Sequence, residues 1–113
     1  MSFKSPIRFM IEVASLQTPL TDNGEMREHC TTVYERYTEW CRSTGEFAEK
    51  WKVLYDLLKK MDVHYGNITK PEIEGGQKKG YRITIAELRK KVATEIREPN
   101  FNFDILDLDL DLE

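Results

Sequence analysis

Two histidines and two cysteines are the most chemically versatile side chains of this sequence, since imidazole and thiolate groups bind metals and act as bases or nucleophiles. They are His29, Cys30, Cys41 and His64. Their positions contain no Cys-x-x-Cys or His-x-x-x-His pair, the spacings typical of zinc sites. Cys41 also falls on the apolar face of a predicted helix, where a thiol without an adjacent base or cation is inert. We therefore expect neither a metal centre nor a nucleophilic cysteine.

Other common signatures of catalysis are missing from the sequence as well. It has no Gly-x-x-x-x-Gly-Lys-[Ser/Thr] phosphate-binding loop, and no carboxylate cluster suited to two-metal chemistry stands out. A chain of 113 residues has room for one domain with one core. We expect a module that is not an enzyme and needs no cofactor.

Aromatic side chains concentrate in the stretch TTVYERYTEWCRSTG, residues 31–45. Thr32 and Glu35 fit a capping box at the start of a helix, and Gly45 fits its C-terminal end. The apolar residues between them recur at helical spacing, which predicts the buried face of a helix rather than a reactive site. They are Val33, Tyr34, Tyr37, Trp40 and Cys41.

Two further helices are predicted around this one. Ser5 as a cap and Pro6 in the first turn begin a helix that extends to Ser15. Residues 17–27 are rich in turn formers and predict a loop. A third helix is predicted over residues 46–61, with an apolar stripe. The stripe consists of Phe47, Trp51, Leu54, Tyr55, Leu58 and Met61.

A β-hairpin is predicted after the third helix. Residues 63–68 and 80–84 are short runs that favour strands, and the polar segment 69–79 between them contains Pro and Gly. Thr84 and Glu87 fit a second capping box, which begins a last helix that Pro99 stops after about residue 97.

The C-terminal residues FNFDILDLDLDLE alternate Leu with Asp. A period of two is that of a strand with one apolar face, but adjacent aspartates repel and no second strand is at hand. We expect residues 1–97 to form the folded domain and residues 98–113 to be an acidic tail, either disordered or docked on a partner.

Charge is unevenly distributed along the chain. Residues 46–97 carry twelve Lys and Arg against eight Asp and Glu, whereas residues 98–113 carry six acids and no base. The net charge of −3 therefore hides a basic middle and an acidic end. A basic middle is typical of a body that binds polyanions, although an ordinary solvated surface with a free tail would show the same pattern.

Three helices followed by a hairpin with a basic tip is the order of a winged helix, a variant of the helix-turn-helix. We therefore predict an α+β fold: a winged helix-turn-helix with an extra C-terminal helix and an acidic tail. In such a fold the third helix enters the major groove of DNA and the wing, here residues 63–85, reaches the adjacent groove. The expected DNA contacts are Lys50, Lys52, Lys59, Lys60, Lys70, Gln77, Lys78, Lys79 and Arg82. Most would meet phosphates, with Gln77, Asn67 or Arg82 as candidates to read bases.

The sequence from about residue 5 to 85 resembles the C-terminal winged-helix domain of viral and phage primase-helicases of the poxvirus type. The resemblance rests most specifically on the Tyr, Tyr, Trp-Cys spacing of the aromatic helix. The matching residues are Pro6, Met10, Tyr34, Tyr37, Trp40, Cys41, Gly45, Trp51, Leu54, Leu58, Gly75, Gly76, Lys78, Lys79 and Tyr81. The helix after the wing and the Leu-Asp tail depart from that pattern. A weaker similarity is to RFX-type winged helices, whose Arg-Arg-Leu-Gly-Thr-Arg-Gly run is missing here.

The resemblance implies a non-catalytic DNA-binding module of a replication protein, with primase and helicase activities in other domains. Its partners would be duplex or single-stranded DNA, and also other replication-protein domains or a second copy of itself. The alternative is a winged helix that binds proteins through its last helix and its tail, without direct DNA binding. Because no apolar run reaches the length of a membrane helix and no secretory signal is recognisable, we expect no membrane partner and an intracellular location, cytoplasmic or nuclear.

Overall fold

Four helices and one antiparallel sheet make up the part of the chain that the computed structural model describes, residues 3–15, 21–22, 24–68, 78–101 and 103. This composition confirms the predicted α+β class. Within these ranges, none of the helices combines the length and apolar character that crossing a membrane requires. In chain order the elements are α1 (Ser5–Ala14), β1 (Thr21–Asp22), β2 (Glu25–His29), α2 (Cys30–Thr44), α3 (Trp51–Lys60), β3 (His64–Ile68), β4 (Lys78–Thr84) and α4 (Ile85–Glu95).

The sheet has the order β1-β2-β4-β3, and every neighbouring pair is antiparallel. Strands β1 and β2 both lie where the sequence predicted a loop over residues 17–27, so that prediction was wrong for Thr21, Asp22 and Glu25 to Arg27. A strand of two residues, and a strand with three charged residues in five, carry little local signal. Pairing with β4, where Met26 lies opposite Ile83, stabilises β2, and β1 pairs with β2 in turn.

Gly80 lies at the narrowest point of this sheet. A Cβ atom at this position would overlap the backbone oxygen of Glu28 and would lie 2.5 Å from the Cδ1 atom of Ile68. Its partner across the hairpin, Gly66, has room, since a Cβ atom there would lie 3.4 Å from its nearest neighbour, an atom of the His64 side chain. Of these two glycines, only Gly80 is therefore required by close approach.

Helix α2 begins three residues earlier than predicted, with its N-cap at His29 instead of Thr32, and without the expected capping box. Its N-cap is His29, which makes no side-chain cap bond, so Thr32 lies inside the first turn. The reason is that β2 runs directly into the helix, which fixes the start through the sheet. The C-terminal prediction is confirmed, because Gly45 adopts the left-handed conformation with φ of 75°.

Helix α3 begins at Trp51, five residues later than predicted, and this changes which side chains are buried. Leu54, Leu58 and Met61 are in the core as expected. Phe47 and Trp51, expected in the same buried stripe, are 76% and 60% exposed.

A hydrogen-bond network holds residues 46–50 out of the helix. The hydroxyl of Ser5 donates to the carbonyl of Phe47 at 2.5 Å, so its single proton is used there. The hydroxyl of Tyr37 therefore donates to Ser5 Oγ at 2.6 Å and accepts from the backbone N–H of Glu49 at 2.8 Å. Ser5 thus serves this network instead of the predicted cap of α1, whose N-cap is Lys4. Backbone groups engaged in this way are not available for a helical turn.

The predicted hairpin and last helix are both present. Strand β4 begins at Lys78, two residues earlier than predicted, because Lys78 and Lys79 of the predicted connecting segment pair with Ile68 and Asn67. Strands β3 and β4 pair antiparallel, and Thr84 Oγ1 accepts from the backbone N–H of Glu87 at 3.2 Å, which confirms Thr84 as the N-cap of α4. The apolar stripe of α4 is buried, and the helix ends at Glu95, two residues before the predicted end.

The core lies between the helices and one face of the sheet. Phe103 is part of it, and the guanidinium of Arg89 lies 5.8 Å from the centre of its ring. The alternating Leu-Asp residues 104–113 lie outside the described residues. The largest fully buried side chains are Tyr37, Phe9, Met10, Met26, Leu58 and Leu88.

Gly80→Ala is expected to lower the free energy of unfolding by about 1–3 kcal/mol, because the new methyl group would overlap the backbone of Glu28. Gly66→Ala in the partner strand is the matched control and should cost clearly less. Urea unfolding followed by circular dichroism measures both. Equal stabilities of the two variants would contradict the close approach.

Tyr37→Phe is expected to destabilise the protein by about 1–3 kcal/mol, since it leaves the N–H of Glu49 and the oxygen of Ser5 without their partner. Tyr34→Phe removes a single bond, from its hydroxyl to the carbonyl of Glu49, and serves as the control. It should cost about 1 kcal/mol or less in the same unfolding experiment. A Tyr37→Phe variant as stable as the control would show that the network does not fix residues 46–50.

Candidate nucleic-acid interface

The cationic side chains expected to contact DNA are exposed wherever the structure describes them. Two members of the predicted set, Lys70 and Gln77, lie outside the described residues. The others, all on α3, its N-cap or β4, are Lys50, Lys52, Lys59, Lys60, Lys78, Lys79 and Arg82. These residues do not share one surface. They lie on different sides of α3 and on opposite faces of the hairpin.

On α3, Lys52 and Lys59 are seven residues apart and so lie on one flank of the helix, about two turns from each other. Lys52 also pairs with Asp56 of the same helix, with 3.5 Å between Nζ and Oδ2. Lys60 points elsewhere, since its Nζ lies 2.8 Å from the carboxylate of Glu95 in α4. The basic surface of α3 therefore centres on Lys52 and Lys59.

On the hairpin, alternation along the strands separates the cations. Lys79 is paired in register with Asn67, on the sheet face that also carries Tyr65 and Tyr81. Lys78 and Arg82 are on the opposite face. There the Nε atom of Arg82 lies 3.4 Å from the carboxylate of Glu25 in β2.

Between α3 and the hairpin lies a cavity of about 440 Å³, which we call the aromatic groove. Its walls are the start of α2, the first turn of α3 and the facing strands. Small-molecule sites commonly have volumes of about 300–1,000 Å³ and mostly apolar linings. Aromatic rings of Tyr34, Trp51, Tyr55, Tyr65 and Tyr81 line the groove, together with Cys30, Thr31, Glu35 and Leu54.

The rings of the groove form a chain of contacts between neighbours. Trp51 and Tyr55 are 5.8 Å apart at 68°, Tyr55 and Tyr65 are 5.3 Å apart at 85°, and Tyr65 and Tyr81 are 5.2 Å apart at 50°. The first two pairs are edge-to-face, an arrangement favourable between aromatic quadrupoles, and the third pair is tilted. It also leaves ring faces that no parallel ring covers, most clearly on Trp51, which is 60% exposed, and Tyr65, which is 39% exposed.

The hydroxyl groups at the base of the groove stay protonated in neutral solution. Burial raises the pKa of Tyr81 well above its ordinary value, and the nearby thiol of Cys30 raises it further. Burial also raises the pKa of Tyr65, with Cys30 as the next cause. Among the described residues, Glu35 of α2 is the acidic residue in the lining of the groove, and it is exposed.

The histidines and cysteines considered as metal ligands do not gather at one point, although His29 and Cys30 are consecutive. Cys30 and Cys41 are at opposite ends of α2, roughly 16 Å apart at the rise of an α-helix. His64 is on the sheet face opposite Tyr65, outside the groove lined by Cys30. Across the described ranges, no three His, Cys, Asp or Glu residues are grouped so as to hold a metal ion.

The groove itself was missed by reasoning from sequence, because Trp51 and Tyr55 were assigned to the core. One signal pointed to it: Trp51 stands between Lys50 and Lys52, a position that favours an exposed side chain in the first turn of a helix. The meeting of Tyr65 with Tyr81 depends on the register of the hairpin. That register is not readable from the separate strands.

The free energy of unfolding is expected to fall as the pH rises above about 10, the ordinary pKa of tyrosine. In that range the unfolded chain loses phenolic protons that Tyr81 keeps in the fold, so the unfolded state is favoured, and below it no such effect exists. The variant Tyr81→Phe should show a smaller fall in the free energy of unfolding over this alkaline range. Denaturant unfolding at a series of alkaline pH values measures it, and an unchanged slope in the variant would contradict the role of Tyr81.

Comparisons with known proteins name no relative for this arrangement. No family model, curated protein or solved structure matches the chain. What the groove does must therefore be argued from its geometry and chemistry.

Proposed function

We propose that this chain is a non-catalytic DNA-binding module with a winged-helix architecture, which contacts DNA through α3 and the β3–β4 hairpin. The order of elements supports the architecture, because α1, α2 and α3 precede an antiparallel hairpin and β2 pairs with the hairpin at its base. The observation that carries the proposal is the aromatic groove between α3 and the hairpin, with exposed lysines beside it on both elements.

The lysines beside the groove are suited to phosphate groups. Lys52 and Lys59 lie on the α3 side and Lys79 on the hairpin side, and all three are exposed. The Lys52–Asp56 pair is exposed at both ends, and such surface pairs contribute little, so a phosphate could compete for the lysine. Lysines on flexible stems position a nucleic acid without reading its sequence. We therefore assign them a backbone-binding role.

Within the predicted contact set, the geometry favours some members over others. Lys60 and Arg82 face acids in neighbouring elements, and Lys78 lies on the far face of the hairpin. Lys50, the N-cap residue of α3, directly precedes Trp51 of the groove. The proposed interface therefore consists of Lys50, Lys52, Lys59 and Lys79 around the groove.

The proposed biological setting is DNA replication, in a protein of the viral or phage primase-helicase type. Its support is the sequence resemblance over about residues 5–85. Four residues of that pattern line the groove, namely Tyr34, Trp51, Leu54 and Tyr81. Lys79 lies on the same sheet face as Tyr81. In this setting the module would hold DNA for catalytic domains elsewhere in the protein.

A second candidate is a protein-interaction domain. The observation that favours it is the exposed apolar surface of Phe47 and Trp51, since large apolar side chains in contact with water commonly mark binding surfaces. The carboxylate of Glu35 in the groove would also suit a basic partner better than a phosphate. This alternative needs no lysines. Removing the lysine charges beside the groove therefore distinguishes the two candidate functions.

Replacing Lys52 and Lys59 together by Gln is expected to weaken DNA binding and to reduce its dependence on salt. Each lost phosphate contact should lower the slope of log K against log[salt] by about 0.7–0.9. The matched control is Lys90→Gln with Arg97→Gln, which removes the same charge from exposed positions on and just after α4. Fluorescence anisotropy with labelled oligonucleotides across a salt series measures both.

Two results would contradict the proposed function. One is an absence of salt-sensitive binding at micromolar protein to either duplex or single-stranded DNA. The other is an equal loss of affinity in the control variant, which would show that only the overall charge matters.

A further inference from the structure

The free ring faces of the aromatic groove indicate what kind of group it accepts. Trp51, Tyr55 and Tyr65 meet one another at steep angles, so their faces are not used up by parallel stacking within the protein. A flat group can lie against the exposed face of Trp51 and enter a cavity of about 440 Å³. Every nucleobase has such a face, and stacking of bases on aromatic side chains is the main device of single-strand binding.

The charges around the groove determine which part of a nucleic acid would enter it. The carboxylate of Glu35 lines the groove and repels phosphate. Lys52 and Lys59 lie outside the lining, on the adjoining flank of α3, and Lys79 is on the adjoining part of the hairpin. This arrangement favours a base inside and the sugar-phosphate chain along the rim. Glu35 and Thr31 could then meet the base edge, since a carboxylate accepts from exocyclic amino groups and a hydroxyl both donates and accepts.

Paired bases cannot use such a site. In a duplex the faces of the bases are covered by their neighbours, and a protein reaches only their edges in the grooves. A ring face becomes accessible only when a base leaves the stack or the strand is single. We infer that the aromatic groove binds an unpaired nucleobase, so that the DNA preferred by this module contains a single-stranded segment; this inference rests on the proposed function.

The test is the affinity of Trp51 variants for single-stranded and duplex oligonucleotides of equal length. Trp51→Ala should weaken single-strand binding by about 5- to 100-fold, the range expected for the loss of one stacked base, and leave duplex binding within about twofold. Trp51→Phe keeps an aromatic face and should retain most of the affinity. Phe47→Ala is the matched control, since Phe47 is exposed but does not line the groove. It should change neither affinity.

A direct readout is available from the fluorescence of Trp51. The sequence has two tryptophans, and the other, Trp40, packs against Phe9 at 5.7 Å between ring centres. In a Trp40→Phe background, single-stranded DNA should quench Trp51. An abasic strand of the same length, which keeps the phosphates and lacks the bases, should bind more weakly and cause little quenching.

The outcomes separate this inference from the proposed function. If salt-sensitive DNA binding persists but Trp51→Ala has no effect on single strands, or abasic strands bind and quench equally well, the inference is overturned and the proposed function stands. If no DNA binds at all, both fail. If Trp51→Ala instead abolishes self-association in analytical ultracentrifugation, the groove is an interface between copies, and the inference is overturned.

Discussion

The hydroxyl of Tyr37 is the group on which the arrangement of α1, α2 and α3 depends. It connects Ser5 at the start of α1 with the backbone of Glu49, directly before α3. Both its proton and its acceptor capacity are used, and the ring is fully buried against Phe9 at 5.5 Å. A buried polar network of this kind is favourable only when each member has its partner. Here it determines where α3 begins, and therefore that Trp51 is delivered to the surface instead of the core.

The groove and its lysines follow from this placement. Because α3 starts at Trp51, its first turn faces the hairpin, and Tyr55 reaches Tyr65 across the gap. The hairpin is held on its other side by β2, so that the groove has two anchored walls. The aromatic rings line the groove, and the lysines lie around its edge. This arrangement of rings and lysines distinguishes the groove from the remaining basic surface, where Lys60 and Arg82 lie close to carboxylates.

Local sequence signals predicted those elements whose ends depend on nearby residues. The N-cap of α4 at Thr84, the C-terminal glycine of α2 and the apolar stripe of α4 all appear as expected. The predictions failed where residues far away in the sequence determine the local secondary structure. Strand β2 exists because β4 pairs with it, and Thr32 loses its capping role because that strand continues directly into α2. Residues 46–50 have a helical pattern, but Ser5 and Tyr37, 42 and 12 residues away from their partners, keep them out of the helix. The candidate site was only partly predictable for the same reason, since its lysines are local features and its groove is made by packing between elements.

Gly80 bears on how relatives of this chain could be recognised. Any side chain at this position is expected to destabilise the fold, because β4 passes so close to the backbone of Glu28 and to Ile68. The rings of the groove are under a looser constraint, since any flat side chain could serve there. Among diverging sequences, the glycine in the second hairpin strand should persist together with a serine at the first helix and a tyrosine in the second, while the surface aromatics and lysines vary. These three positions, widely spaced along the chain, would then offer fixed points for aligning sequences whose overall similarity has been lost.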